Sequence, residues 1–323
     1  MAVLSPGVHS ISADDYHKDP APAPSLSSTL ARLLLNRSPL HAWTASPRLN
    51  PAWEPVEKKA FDIGRAAHRA VLGAGGDYVA YPAGYLASNG VASTKEAKAW
   101  AEEQRAAGRT PLKADEVDQV GAMAAKLHEA LAEMGIRLDP DRSELTALAE
   151  IGGIHCRAMV DNATDTPIRG LGKVIVDFKT TEDASPDACR RSVENYGYDL
   201  QWAHYTETWE VATGEKRAFL FIFQEKEPPF EVGVMHLLAE PGHSEDWAED
   251  ASDKIASARA TWAECLTTGV WPGYPRLIHQ IGARPFYRQK WQDTATRAIV
   301  ARNHRQSTLD RAMNWQAPER TAQ

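Results

Sequence analysis

Residues 143–181 constrain this chain more than any other stretch. They hold three strand-like segments, "SELTALAEI", "IHCRAMVDN" and "KVIVDFKTT", the first two joined by Gly152-Gly153. A two-residue glycine link between apolar runs specifies a hairpin, and a third strand follows after a polar connection. In "VIVDFKTT", period-two alternation sets Ile175, Asp177 and Lys179 on one face and Val174, Val176 and Phe178 on the other. An isolated charge buried without partners costs several kcal/mol, so the charged face must be solvated, paired or used. If it is only a salt-bridge patch on an exposed sheet face, it contributes at most about 1 kcal/mol.

The surrounding chain reads as helices on either side of these strands. Residues 13–25, rich in proline and acid, read as a loop. Ser27 or Ser28 caps a helix whose apolar stripe stops before Pro39. "EKKAFDIGRAAHRAVLG" has helical spacing, with Gly64 and His68 one turn apart on its less polar face. Ser93 and Glu96 form a capping-box pattern opening a helix that closes at Gly108, and residues 113–135 carry a longer apolar seam. After the three strands come a helix from about Leu200, two more strands ("RAFLFIFQEK" and "FEVGVMHLLA") and a helix over about 244–268. The expected fold is α/β: a mixed central sheet over about 141–240, flanked by helices, behind an N-terminal helical region over about 1–140. Residues 1–290 read as one domain. Residues 291–323 form a basic tail with a short helix at best.

Composition narrows the function classes. At 323 residues and 43% hydrophobic content the chain is long enough for a sizeable core. It has no apolar run near twenty residues and no secretory pattern at its start, so no membrane partner and a cytoplasmic location are the expectations. Cys156, Cys189 and Cys265 are scattered and without CxxC pairing, which argues for reduced thiols rather than disulfides or a zinc site. A net charge of −7 gives no support to broad nucleic-acid binding, although a local basic lining is compatible with it.

Asp161 ends the second strand and Asp177 and Lys179 lie on the third, so neighbouring strands can bring two carboxylates together. Paired carboxylates suit a hard divalent cation such as Mg²⁺, and a lysine beside them can hold a water or neutralise charge on a phosphate. Asp165, in the turn beyond Asp161, is an alternative ligand, and Glu144 and Glu150 are further acidic candidates of lower rank. With Gly64-x-x-x-His68, Arg157-x-x-x-Asp161, Asp177-Phe178-Lys179 and Gln201-x-x-x-Tyr205 in this order, the chain resembles the RecB-like branch of the PD-(D/E)XK nucleases, which have a restriction-endonuclease-like core. The flanks "ISADDYHKDPAPAPSLSSTLARLLLNRSPLHAW" and "YGYDLQWAHYTE", with Trp271-Pro272-Gly273-Tyr274, look like the exonuclease VIII (RecE-type) nuclease domains of phages and prophages. The resemblance runs over about residues 8–291.

That resemblance implies a metal-dependent exonuclease that degrades one strand of linear duplex DNA, 5′ to 3′, leaving 3′ single strands for a single-strand annealing recombinase. It implies His68, Asp161, Asp177 and the Phe178 carbonyl as ligands of Mg²⁺, which Mn²⁺ can replace. Lys179 then serves the attacking water, Gln201 orients groups near the scissile phosphate, and Tyr205 braces its helix against the sheet. It also implies a homo-oligomeric ring threaded by DNA, in the host cytoplasm if the gene is phage-borne. Arg65, Arg69, Arg157, Arg190 and Arg191, with Ser27 and Ser28 at a helix N-terminus, are the candidate phosphate contacts. An endonuclease or flap nuclease of the same fold, and a non-catalytic DNA-binding scaffold, are the alternatives.

Overall fold

The hairpin required by Gly152-Gly153 sits at the centre of a six-stranded sheet. The computed structural model describes residues 3–55, 62–237 and 246–314. In chain order the first half contains β1 (Gly7–Ser10), α1 (Ala13–His17), α2 (Ser28–Asn36), α3 (Pro39–Ala45), α4 (Asp62–Leu72), β2 (Tyr78–Ala80), α5 (Lys95–Ala106), β3 (Thr110–Leu112) and α6 (Ala114–Glu133). The second half contains β4 (Ser143–Ile151), β5 (Ile154–Asn162), β6 (Val174–Thr181), α7 (Pro186–Tyr196), α8 (Tyr198–Thr213), β7 (Ala218–Glu225), β8 (Val232–His236), α9 (Ala248–Thr268) and α10 (Pro285–Met313). The sheet order is β1-β4-β5-β6-β7-β8; β6 and β7 are parallel and every other neighbouring pair is antiparallel. This is the mixed α/β architecture expected.

Both faces of the sheet are covered, as the alternation in β6 demands. Val174, Val176 and Phe178 pack with α4 and α6 through Val71, Leu72, Met123 and Leu127. Ile175 lies on the other side with Tyr205 and Trp209 of α8 and the β7 ladder Phe219, Phe221 and Phe223. Helix α8 is also buried on its outer side, where Leu200 and Ala203 meet α2 and α9. That double burial explains why its apolar residues run around the helix instead of forming one stripe. The Trp271–Tyr274 flank closes on α2 and α3: Leu40 N–H donates to the Pro272 carbonyl at 3.0 Å, and Arg37 Nε donates to the Tyr274 hydroxyl at 2.8 Å.

Several expectations change. Thr94, not Ser93, caps α5, its hydroxyl accepting from the Ala97 amide at 3.0 Å. Residues 13–25 contain a short helix, α1, and two three-residue strands, β2 and β3, pair in parallel as a separate sheet. Helix α7 precedes α8, which starts at Tyr198 rather than Leu200. The expected starts of the helices at 57 and 244, the end of the last strand at 238–240 and the tail at 315–323 lie outside the described residues. The chain divides into two compact units, Met1–Tyr274 and Pro275–Gln323, earlier than the break expected near 290. The second unit contains a 29-residue helix where a short one at best was expected. Pro285 stands in its first turn, and Gln289–Asp293 and Gln306–Asp310 pairs at i,i+4 support it.

Candidate active site

Asp177 is 2% exposed, so the charged face of β6 is not a solvated patch. Helix α8 covers it, and Gln201 Nε2 donates to Asp177 Oδ1 at 2.6 Å. The other oxygen, Oδ2, is buried in an ion pair 2.5 Å from Lys179 Nζ. Burial pushes the Asp177 pKa up to about 6, although the Lys179 ammonium pulls it down. For Lys179, burial works against the charge, but Asp177 and Asp161 outweigh it and raise the pKa. The ammonium also lies 4.9 Å from the centre of the Tyr198 ring, over its face.

The hairpin register supplies the second group. Ser143 faces Asn162 and Leu145 faces Val160, which sets Glu144 across from Asp161. Two adjacent carboxylates repel, and His68 of α4 comes between them. Its Nδ1 is 3.3 Å from Glu144 Oε1 and its Nε2 is 3.1 Å from Asp161 Oδ2. Burial disfavours the imidazolium, but Asp161 and then Glu144 overcome that and push the His68 pKa up to about 10. Burial likewise disfavours the Asp161 carboxylate, yet His68 and then Lys179 hold its pKa below the usual range. The Phe178 N–H donates to Asp161 Oδ2 at 2.7 Å, which ties this carboxylate to β6 beside Asp177. Glu144, ranked low from sequence, is therefore part of the constellation. The Gly152-Gly153 turn could have revealed it, because a two-residue hairpin makes opposing residue numbers sum to 305.

Of these groups His68, Glu144 and Lys179 line a cleft of about 600 Å³, together with His17, Gly64 and Arg65, while Asp161, Asp177 and Gln201 lie behind its lining. Arg105, Arg109 and Tyr198 also line it and were not singled out from the sequence. A Cβ on Gly64 would stand 3.3 Å from Thr180 Oγ1, so the missing side chain allows α4 to approach the end of β6.

Of the other candidates only Arg65 lines the cleft among the described residues. It pairs with Asp62 at 2.8 Å. Arg69 is held by Asp77 at 2.9 Å and by the Gly73 carbonyl. Arg190 and Arg191 are exposed on α7, outside the cleft lining. Arg157 is 4% exposed and bonded to the Ser25 carbonyl and hydroxyl at 2.6 and 2.7 Å, with Asp19 at 3.2 Å. Its burial corrects the expectation of a phosphate contact there. Ser27 is buried as the α2 cap, accepting from the Leu30 amide at 3.3 Å, so its hydroxyl has that local task. Ser28 instead meets the buried Tyr205 hydroxyl, which also bonds Tyr16. Asp165 lies in a separate ionic cluster with Arg217 and Lys173, which removes it as a rival to Asp161.

Among the described residues, no three His, Cys, Asp or Glu side chains already converge on one point as a metal-binding set. The donors nevertheless suit a hard divalent ion. Adjacent octahedral ligands at about 2.1 Å from Mg²⁺ lie roughly 3 Å apart, close to the His68–Asp161 spacing of 3.1 Å. Asp177 adds a second buried carboxylate beside Asp161, its Oδ2 paired with the Lys179 ammonium at 2.5 Å.

A protein-family model, "PDDEXK-like domain of unknown function (DUF3799)", matches residues 34–280. The chain belongs to this PDDEXK-like family. The crystal structure of a putative exonuclease from Eubacterium rectale is similar in fold, with a TM-score of 0.52 and 14% identity over 86% of this chain and 96% of that one. No curated protein sequence matches the chain. Among the described residues, no helix is long and apolar enough to cross a membrane.

Proposed function

We propose that the chain is a metal-dependent nuclease acting on DNA, an exonuclease that removes one strand of linear duplex DNA in the 5′-to-3′ direction. The observation that carries this reading is the Asp177–Lys179 pair: a buried carboxylate and an ammonium at a cleft edge, with Asp161 tied to the intervening Phe178 amide. A structural salt bridge gains little when buried, so burial of this pair beside two further carboxylates favours use over stability.

Asp161, Asp177, His68 and the Phe178 carbonyl would hold Mg²⁺ or Mn²⁺. The bound ion supplies Lewis acidity and charge neutralisation at the phosphate. Glu144 fixes the His68 ring from its far nitrogen, and Gln201 fixes Asp177 through Oδ1. Lys179 holds the attacking water and faces the charge that builds on the phosphate oxygens. Tyr198 walls the ammonium on its other side. The retained single strand would pass to an annealing recombinase, and a homo-oligomeric ring in the cytoplasm would keep the enzyme on its substrate.

The test uses purified protein on linear duplex DNA labelled at the 5′ or the 3′ end, beside closed circles, with Mg²⁺ or with EDTA. Release of 5′ label as mononucleotide from linear DNA only, abolished in EDTA and in Asp177→Asn, is the expected result. Cleavage of circles would replace end-dependence by endonuclease action. Absence of cleavage with any divalent metal would overturn the nuclease reading in favour of a DNA-binding scaffold.

A further inference from the structure

The C-terminal unit carries a chemistry that the cleft does not use. Residues 275–314 hold eight Arg and Lys against two Asp, while the whole chain stands at −7, so the acidic excess lies entirely elsewhere. Seven of the eight cations are arginines. Helix α10 is 29 residues long, roughly 43 Å at 1.5 Å per residue. At 100° per residue, Arg284, Tyr287, Arg288, Trp291, Arg302 and Arg305 share one face. Tyr287 is 68% exposed and Trp291 67%. Asp293 and Asp310 lie off that face, where they accept from Gln289 and Gln306 at 2.9 and 3.1 Å. Among the described residues, none of these four arginines has a carboxylate partner.

Exposed rings and unpaired guanidinium groups on one face require an occupant that satisfies both. A second copy of the helix would need a continuous apolar seam, yet the middle of this one reads Ala295, Ala298, Arg302, Arg305 and would bury cations against cations. A polyanion with planar groups suits the face better, because guanidinium forks take phosphates and the rings take bases. In a duplex the base faces are already stacked and out of reach of the rings. We infer that α10 is a binding arm for single-stranded DNA. Its place in the reaction, holding the strand that hydrolysis leaves unpaired, rests on the nuclease reading; its binding chemistry does not.

The experiment uses the full-length protein in EDTA and a fluorescein-labelled 30-nucleotide strand, with a duplex of equal length as control, followed by anisotropy across a salt series. Tyr287→Ala/Trp291→Ala and Arg302→Gln/Arg305→Gln are compared with the unaltered chain. Each pair is expected to weaken single-strand binding at least tenfold and duplex binding much less. The arginine pair also flattens the log-log salt dependence by about 1.4, roughly 0.7 for each phosphate no longer neutralised, whereas the ring pair leaves the slope unchanged. Unchanged affinity in both variants overturns the inference, as does an equal loss on duplex and single strand. A shift in sedimentation without a shift in strand affinity overturns it in favour of a self-association surface. Cleavage in Mg²⁺ is scored separately. Strand binding through α10 without cleavage leaves the inference standing and removes the nuclease reading; cleavage with unchanged binding in the variants does the reverse.

Discussion

Glu144 stands at a backbone φ of +50°, a conformation that costs a non-glycine residue about 1 kcal/mol or more. The strain is offset where the side chain is used, between His68 and the neighbouring hairpin strand. Gly75 confirms the tightness, since a Cβ there would stand 2.7 Å from Glu144 Oε1. If Glu144 fixes the tautomer and orientation of His68, Glu144→Gln will fold normally but cleave about ten- to a hundredfold more slowly, with a weaker response to Mg²⁺. A metal titration of the cleavage rate checks this, and wild-type behaviour in that titration would leave Glu144 a bystander. The sequence announced Asp177 and Lys179, because two charges in an apolar strand demand an explanation. It was quieter about Glu144, whose meaning appears only when the Gly152-Gly153 register sets it opposite Asp161.

At the scale of elements, α4 and α8 hold the site from opposite faces of the sheet. Gly64 sets the approach of α4, and His68 follows one turn later. Gly64→Val would press on Thr180 and push the helix outward. The expected result is a loss of cleavage of at least tenfold with a stability change of only about 1–2 kcal/mol, because the displaced His68 matters more than the disturbed packing. Cleavage rates paired with urea midpoints separate the two effects. Helix α8 contributes a pH dependence through His204, which is fully buried and lies 3.0 Å from the Arg157 carbonyl. Burial pushes its pKa down to about 4, below the unfolded value of about 6.5. The unfolded chain therefore binds the extra proton between those values. The stability is fully present above about pH 6.5 and is lost as pH falls toward 4. Between pH 7 and pH 5 the loss is about 2 kcal/mol, and His204→Gln should remove that part of the slope in urea unfolding. An unchanged slope would mean His204 is not buried neutral. Strands β4 to β7 and helices α4, α6, α8 and α9 were legible because period-two and period-3.6 patterns are strong over eight or more residues, whereas the 29-residue α10 has no apolar stripe to announce it. Helix α7 was not, although Ser185-Pro186 opens it and Gly197 closes it, because only Cys189 and Val193 are buried along its length. Strands β2 and β3, three residues each, are too short to show a period.

Within the Met1–Tyr274 unit, the first turns of the chain are built into the sheet that carries the site. Leu26 bridges to β5, its N–H donating to the His155 carbonyl at 2.8 Å and its carbonyl accepting from the Arg157 N–H at 2.9 Å. Asp19, at a φ of +61°, is fully buried and accepts from the Ser25 amide and hydroxyl at 2.8 and 2.6 Å, with Arg157 at 3.2 Å. Tyr16 lies under the Arg157 guanidinium at 5.5 Å, and His17 beside it reaches the cleft. This closure spans more than a hundred residues of sequence, so "ADDYHKDPAPAPS" read locally could only look like a loop. Removing one partner of a buried pair leaves an uncompensated charge, which costs about 3–5 kcal/mol, whereas removing both costs much less. Arg157→Met should therefore lower the urea midpoint strongly and open residues 13–27 to protease. Asp19→Asn added to Arg157→Met should recover a large part of the midpoint. If the single and double variants unfold at the wild-type midpoint, the N-terminal segment is not what closes this side of the cleft.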